Sequence, residues 1–378
     1  MTTLLHSATA VDARGETPDA WLLLDGDTIA AAGSGAGRPS ADEVVDLTGF
    51  WIAPGFVDLH GHGGGGEDYG SGDLPAALAA HRAHGTTRSV VSLVAEPVAV
   101  LEEQLARVKR LAAADPTLLG SHLEGPFLAP ERRGAHAAET LRAPDPATID
   151  RLLAAADGTL RQVTIAPELP GGLDAVRRFA AAGVVVAVGH TEADAGLARA
   201  AFDAGATLLT HAFNAMPGIH HRAPGPVAAA LTDPRVSLEL VLDGVHVDPA
   251  VAAIAFASAP GRIALVTDAM AAAGHHDGAY RLGSLDVTVS AGMARVTGTE
   301  TIAGSTLTQD RALAIALREV GIPRPVAVEA LTATPARILG LGDRLGLLEP
   351  GYAADVAVLD DDLAIRHVWV AGTRLAVG

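Results

Sequence analysis

The hydrophobic pattern divides the chain into three stretches. Over residues 1–53, TLLHSATAVDA, AWLLLDGDTIAAAGS and EVVDLTGFWIAPG alternate apolar and polar positions and break at Asp25-Gly26 and Thr48-Gly49. A period of two with turn residues between the runs predicts short strands joined by hairpins. The end of the chain, RLGLLEPGYAADVAVLDDDLAIRHVWVAGTRL (344–375), resumes that style. The middle reads differently. Apolar, β-branched runs alternate with Ala-rich amphipathic segments such as PVAVLEEQLARVKRLAAAD, GGLDAVRRFAAAG and TEADAGLARAAFDAG, most of which end in Gly or Pro, as helix C-termini prefer. Strand–helix alternation of this kind predicts an α/β fold with a parallel sheet, closed at this length into a (β/α)8 TIM barrel. The two β-rich ends then pair into a small β-sandwich domain. The expected organisation is residues 1–53 plus 345–378 for that domain and 54–344 for the barrel, with a β-hairpin insertion near 275–302 (HHDGAYRLGSLDVTVSAGMARVTGTETI).

Six of the apolar runs end in a residue that can ligate a metal or move a proton. They are FVDLHGH (56–62), LLGSHLEGP (118–126), VVVAVGHTEAD (184–194), TLLTHAFN (207–214), LELVLDGVHV (238–247) and IALVTDAM (263–270). In a parallel barrel all strand C-termini face one side, so these residues converge although they are far apart in sequence. His60 and His62 stand two apart on one strand, share a face and can reach one ion. Glu124, His190 and His211 end three further strands. Taken singly, a histidine at a strand end is most often a satisfied structural residue; as a set, Glu/His/His suits a catalytic divalent metal with an open position for water. Asp268 is placed to take a proton from water and hand it to a leaving group, and it also suits a helix N-cap. The loop HAFNAMPGIHHRAPG offers Asn214, Ala215 and Arg222, and an arginine matches a phosphate or carboxylate bidentately. The chain carries no Walker-type phosphate loop and no dinucleotide fingerprint.

Composition narrows the partners. A formal charge of −17 disfavours a nucleic-acid or anionic-membrane surface, while leaving an anionic small molecule open to a few local donors. Zero cysteines exclude disulfides and thiolate metal sites. The start, MTTLLHSATAVDARG, lacks the basic and apolar regions of a signal peptide, and no apolar run approaches membrane-span length, so the expectation is a soluble, cytoplasmic protein.

PGFVDLHGHGG, HLEGPF, VGHTEAD, THAFNAMPGIHHRAPG, DGVHVDP, VTDAM, IAGSTLT and GLLEPGYAADVAVLD together resemble the amidohydrolase superfamily and, within it, the N-acetylglucosamine-6-phosphate deacetylases. These motifs span nearly the whole chain. The resemblance implies metal-dependent hydrolysis of an amino-sugar acetamide in amino-sugar catabolism and cell-wall recycling. It implies Glu124, His190 and His211 as metal ligands, Asp268 as catalytic acid/base, and substrate contacts from Ala135, His136, Asn214, Ala215, Arg222, His246, Ile302, Ala303 and Gly304. Because His60 and His62 are retained, one or two divalent cations per subunit are expected. Zinc is the first expectation; iron, manganese and cobalt suit the same donors. The partners implied are an amino-sugar phosphate and a second copy in a homodimer, whose neighbouring subunit can supply a basic group to the phosphate. The only lysine, Lys109, lies in the amphipathic segment EEQLARVKRLAAAD. It cannot bridge metals as a carbamate at a strand end, which disfavours dihydroorotase- and hydantoinase-like readings.

Overall fold

Eight strands, buried almost throughout, form the barrel of the computed structural model, which describes residues 1–376. The final two positions of the expected 345–378 segment lie outside the described residues. The barrel strands are β1 (Phe56–Asp58), β2 (Thr86–Leu93), β3 (Leu118–Glu124), β4 (Leu160–Ile165), β5 (Val185–Val188), β6 (Leu208–Leu209), β7 (Ser237–Val241) and β8 (Ile263–Val266). Each pairs in parallel with its neighbour in sequence order. The ring closes beyond β8, where Gly61 bridges Ala269 in parallel and the Asp268 amide donates to the His60 carbonyl at 2.8 Å. The TIM barrel expected from the alternation is therefore the fold.

Helices pack outside because their apolar residues recur at helical spacing. In α2 (Val98–Ala114), Val98, Leu101, Leu105 and Val108 form one buried stripe. Four helices begin with an Asp whose carboxylate accepts a backbone N–H of the first turn. These are Asp73 on α1 (Leu74–Ala83), Asp145 on α3 (Pro146–Ala156), Asp194 on α5 (Ala195–Asp203) and Asp248 on α7 (Pro249–Ser258); α4 (Gly172–Ala181) and α6 (Gly225–Thr232) come between them in the chain. Each such cap stabilises its helix by about 1 kcal/mol.

The two chain ends pair into one hydrogen-bonded sheet. Its order runs from Thr373–Leu375 through Ile365–Val370, Val356–Leu359, Trp51–Pro54, Thr2–Asp12 and Gly15–Asp25 to Thr28–Ser34, with Glu43–Asp46 also paired to Thr2–Asp12. The sheet curls on itself: Ile29, near one edge, and Trp369, near the other, lie in the same buried cluster. The segment 275–302 is a three-stranded antiparallel meander, one strand more than the expected hairpin: Gly278–Leu282, Leu285–Ser290 and Met293–Val296. Ala291 and Gly292, at φ 51° and 72°, turn the chain back for the third strand. Its apolar face (Leu282, Val287, Val289, Ala294) packs on Met270, Ala271 and Ala272 just past β8. The meander thus stands over the C-terminal mouth of the barrel.

Candidate metal centre and active site

Where the chain leaves β5, β6 and β8, it passes through left-handed backbone at His190 (φ 46°), His211 (φ 25°) and Asp268 (φ 48°). Such a conformation costs a non-glycine residue on the order of 1 kcal/mol or more, and persists only where surroundings enforce it. Here the His190 carbonyl accepts from the Ala129 amide at 3.0 Å, and the Asp268 carbonyl accepts from the Ser305 amide at 2.7 Å. The kinks turn all three side chains toward the barrel axis, where they meet Glu124 from the end of β3.

The resulting donor cluster is tight. His190 Nε2 and His211 Nε2 lie 2.9 Å apart, and 3.0 and 3.1 Å respectively from Glu124 Oε1. Beside this trio, His60 Nε2 and His62 Nε2 lie 3.5 and 3.2 Å from Asp268 Oδ1. Glu124 stands between the two groups, with His60 Nε2 at 3.4 Å from one carboxylate oxygen and His62 Nε2 at 3.1 Å from the other. Both trios, Glu124/His190/His211 and His60/His62/Asp268, have the proximity that a bound ion needs.

The partner of each Nδ1 tells how each imidazole presents itself. His190 Nδ1 is 2.7 Å from the Arg132 carbonyl, and His62 Nδ1 is 3.3 Å from the Ser92 carbonyl; both must donate there, so in the neutral ring the lone pair is at Nε2. His60 Nδ1 faces Glu239 Oε2 at 3.0 Å, with the same result. His136 is the opposite case. Its Nδ1 accepts the Ala95 amide at 3.1 Å, so Nε2 carries the proton and points at Glu124 Oε2, 3.4 Å away. His136 is therefore a donor rather than a ligand. His122 sits one layer deeper under His60 (ring centroids 4.7 Å) with both nitrogens engaged, by Ser92 Oγ and Thr164 Oγ1.

The trios fit a divalent cation. His190 Nε2, left as a lone pair, lies 2.9 Å from His211 Nε2, and among the described residues nothing hydrogen-bonds to the buried His60 Nε2. Donor atoms about 3 Å apart are what bonds of about 2.0–2.2 Å to a common ion produce. Electrostatics agree in sign. Burial works against ionisation of Glu124 and Asp268, but the neighbouring His60 and further histidines outweigh it and hold both carboxyls well below the usual range. Burial likewise opposes protonation of His62, yet bonds to Asp268 and Glu124 lift it to about 9: the two carboxylates draw a proton to Nε2 at neutral pH, and a cation binding there would displace it. Burial pushes His136 down, keeping that ring neutral.

The trios open into a cavity of about 360 Å³. Of the residues singled out from the sequence, Ala135, His136, Asn214, Ala215, His246, Ile302 and Gly304 line it along with the donors. His60 and Ala303 are fully buried behind the wall. Arg222 is exposed and does not line the cavity; among the described residues the arginine that does is Arg132, which the sequence pattern did not point to and which pairs with Glu192. His246 Nδ1 is held by Asp243 Oδ2 at 2.7 Å, and that carboxylate also takes the Val245 and His246 amides. Glu239 and Asp243 were likewise missed; the first showed only as one polar residue inside LELV, the second as the opening of DGVHV. Lys109 is far from this chemistry, on outer helix α2, paired with Asp157 at 2.6 Å.

A sequence profile of the amidohydrolase family matches residues 51–375. The N-acetylgalactosamine-6-phosphate deacetylase of Escherichia coli O157:H7 is 38% identical, over 98% of this chain and 99% of its own. The N-acetylglucosamine-6-phosphate deacetylase of Bos taurus is 38% identical, over 89% of this chain and 86% of its own. Among solved structures, a mutant N-acetyl-D-glucosamine-6-phosphate deacetylase from Mycobacterium smegmatis in complex with N-acetyl-D-glucosamine 6-phosphate superposes with a TM-score of 0.94 at 45% identity, covering 99% of both chains. The Thermotoga maritima N-acetylglucosamine-6-phosphate deacetylase superposes with a TM-score of 0.89 at 28% identity, covering 98% of this chain and 99% of its own.

Proposed function

The chain belongs to the amidohydrolase family, and from that premise we propose that it hydrolyses the acetamide of N-acetyl-D-glucosamine 6-phosphate to D-glucosamine 6-phosphate and acetate. One observation carries this reading. A carboxylate, Asp268, and a neutral imidazole donor, His136, face the Glu124/His190/His211 trio across one cavity of monosaccharide scale.

Glu124, His190 and His211 would hold a divalent cation, with His60, His62 and Asp268 beside Glu124 for a second. Zinc is the first choice, with iron, manganese and cobalt as alternatives for these N/O donors. Bound there, such a cation supplies Lewis acidity toward the acetamide carbonyl and acidifies water. Asp268 accepts a proton from water as the water oxygen attacks the acetyl carbon. As the C–N bond breaks, Asp268 returns that proton to the departing amine. His136 Nε2–H donates to the carbonyl oxygen as it gains negative charge, and His246, steadied by Asp243, lies on the same wall. At the mouth, Arg132 and the Asn214–Ala215 turn suit the 6-phosphate.

A homodimer is supported by the outer face of α7. It exposes Ile254 (59%) and carries no charged side chain, and Val245 and Ile219 are exposed on the loops preceding α7 and the neighbouring helix Gly225–Thr232. Native mass measurement tests it.

Acetate and ammonia release should be assayed on N-acetylglucosamine 6-phosphate, N-acetylgalactosamine 6-phosphate and unphosphorylated N-acetylglucosamine. Acetate from the first at the highest kcat/KM is expected. The galactosamine arm matters because a relative named for that epimer matches at 38% identity over nearly the full length. Ammonia release would instead indicate a deaminase. Asp268→Asn should lower kcat by about 10²-fold or more with the cation at Glu124, His190 and His211 retained. An active Asn variant overturns the proton-transfer role.

A further inference from the structure

Glu239 lies on β7, inside the barrel, with no solvent exposure. Its Oε2 accepts from His60 Nδ1 at 3.0 Å and from the His211 amide at 3.3 Å; its Oε1 accepts from Gln162 Nε2 at 2.8 Å. Among the described residues its one ion-pair partner is His60; no arginine or lysine reaches it. A fully buried carboxylate without a formal cation is costly, so something must supply positive charge along this line of contacts. The line runs outward in one direction. The ring of His60 carries it to Nε2, which is buried, has no hydrogen-bond partner among the described residues and is aimed between Glu124 and Asp268.

Resting on the two-trio reading above, we propose that Glu239 is the positioning residue that commits His60 to a second cation, so that occupancy of the His60/His62/Asp268 group depends on it. By accepting the hydrogen bond from Nδ1–H it fixes the tautomer, orients the ring and raises the basicity of Nε2. A carboxylate behind a ligating histidine typically changes metal affinity 10–100-fold. Its charge also offsets part of the second cation's. The His211 amide bond lets the same carboxylate steady the first trio, but through the backbone, which any acceptor oxygen at that position can serve.

The test is zinc titration of metal-depleted protein, read by calorimetry and by elemental analysis after dialysis. The variants are Glu239→Gln, His60→Ala and the double variant. Glutamine is isosteric here. Its carbonyl can keep the His60 and His211 bonds, while its amide can donate to Gln162 Oε1 once the Gln162 amide, which now donates to Glu239 Oε1, turns over; among the described residues that oxygen has no hydrogen-bond partner to lose. The wild type should take two equivalents. Glu239→Gln should take the first with unchanged affinity and the second 10–100-fold more weakly. In the His60→Ala background the glutamine change should add nothing, because the route runs through His60. Two equivalents bound alike by wild type and Glu239→Gln would overturn the role of Glu239 alone. A single equivalent in the wild type would overturn the two-cation reading and this inference with it. Loss of both equivalents in Glu239→Gln would assign the residue to the first trio instead.

Discussion

The tautomer of His136 makes a prediction that separates two things one side chain does. The ring is 5% exposed, accepts the Ala95 amide through Nδ1, and presents Nε2–H to the cavity. Asparagine places an oxygen near the Nδ1 position and nothing at Nε2. Glutamine places an N–H near Nε2 and leaves the Ala95 amide alone. His136→Asn should therefore keep stability but lose the donor, and removing one donor to a developing oxyanion costs about 2.7–4 kcal/mol, or 10²–10³ in kcat. His136→Gln should keep kcat within about tenfold. It should lose about 1–3 kcal/mol in denaturant unfolding, because a buried N–H is left without a partner. Steady-state kinetics, urea melts and elemental analysis on both variants form the assay. Cation content should be unchanged in each, since an imidazole whose Nε2 bears the proton is not a ligand. The reasoning fails if either variant loses its cation, or if the asparagine variant retains wild-type kcat.

Arg132→Ala should raise KM for the phosphorylated sugar about 10–100-fold, the worth of a charge-assisted bond, with little change for the unphosphorylated one; equal effects on both would remove Arg132 from the phosphate. Gly189→Ala should destabilise by about 1–3 kcal/mol and weaken cation binding. A Cβ there would lie 2.7 Å from Thr210 Cβ and 2.8 Å from Thr164 Cγ2, directly before His190; unchanged thermal stability and metal content would refute this. His84 Nδ1 lies 2.9 Å from Asp310 Oδ2, and that bond raises the ring's pKa above its usual value against partial burial. The stabilisation is full below about pH 6.5 and fades as pH rises through the higher folded value. The gap between wild type and Asp310→Asn in denaturant melts should narrow from pH 6 to pH 9, and a gap independent of pH would refute the pairing.

The barrel was legible because six of its strands carry apolar, β-branched runs between segments of helical periodicity, whereas β2 (TTRSVVSL) and β4 (LRQVTI), though buried, are too polar to stand out. The converging strand ends were legible for the same reason: where an apolar run stops, its last residue lies at the barrel rim. Depth was not. His122 and Glu124 stand two apart on β3 and share the inner face, yet one is locked in a hydroxyl network below while the other reaches both trios. The third strand of the meander escaped because MARV is too short to announce itself without its partner Leu285–Ser290.

By itself, then, the order of residues determined which positions face the barrel interior and which chemistries end the strands, because periodicity is a local property of the backbone. Only the tertiary structure decided which of those side chains touch. His60 and Glu239 are 179 residues apart, and Arg132 rather than Arg222 lines the cavity. Closing the sheet sets distances across the barrel that no local pattern carries, and those distances decide whether a histidine gives a lone pair or a proton.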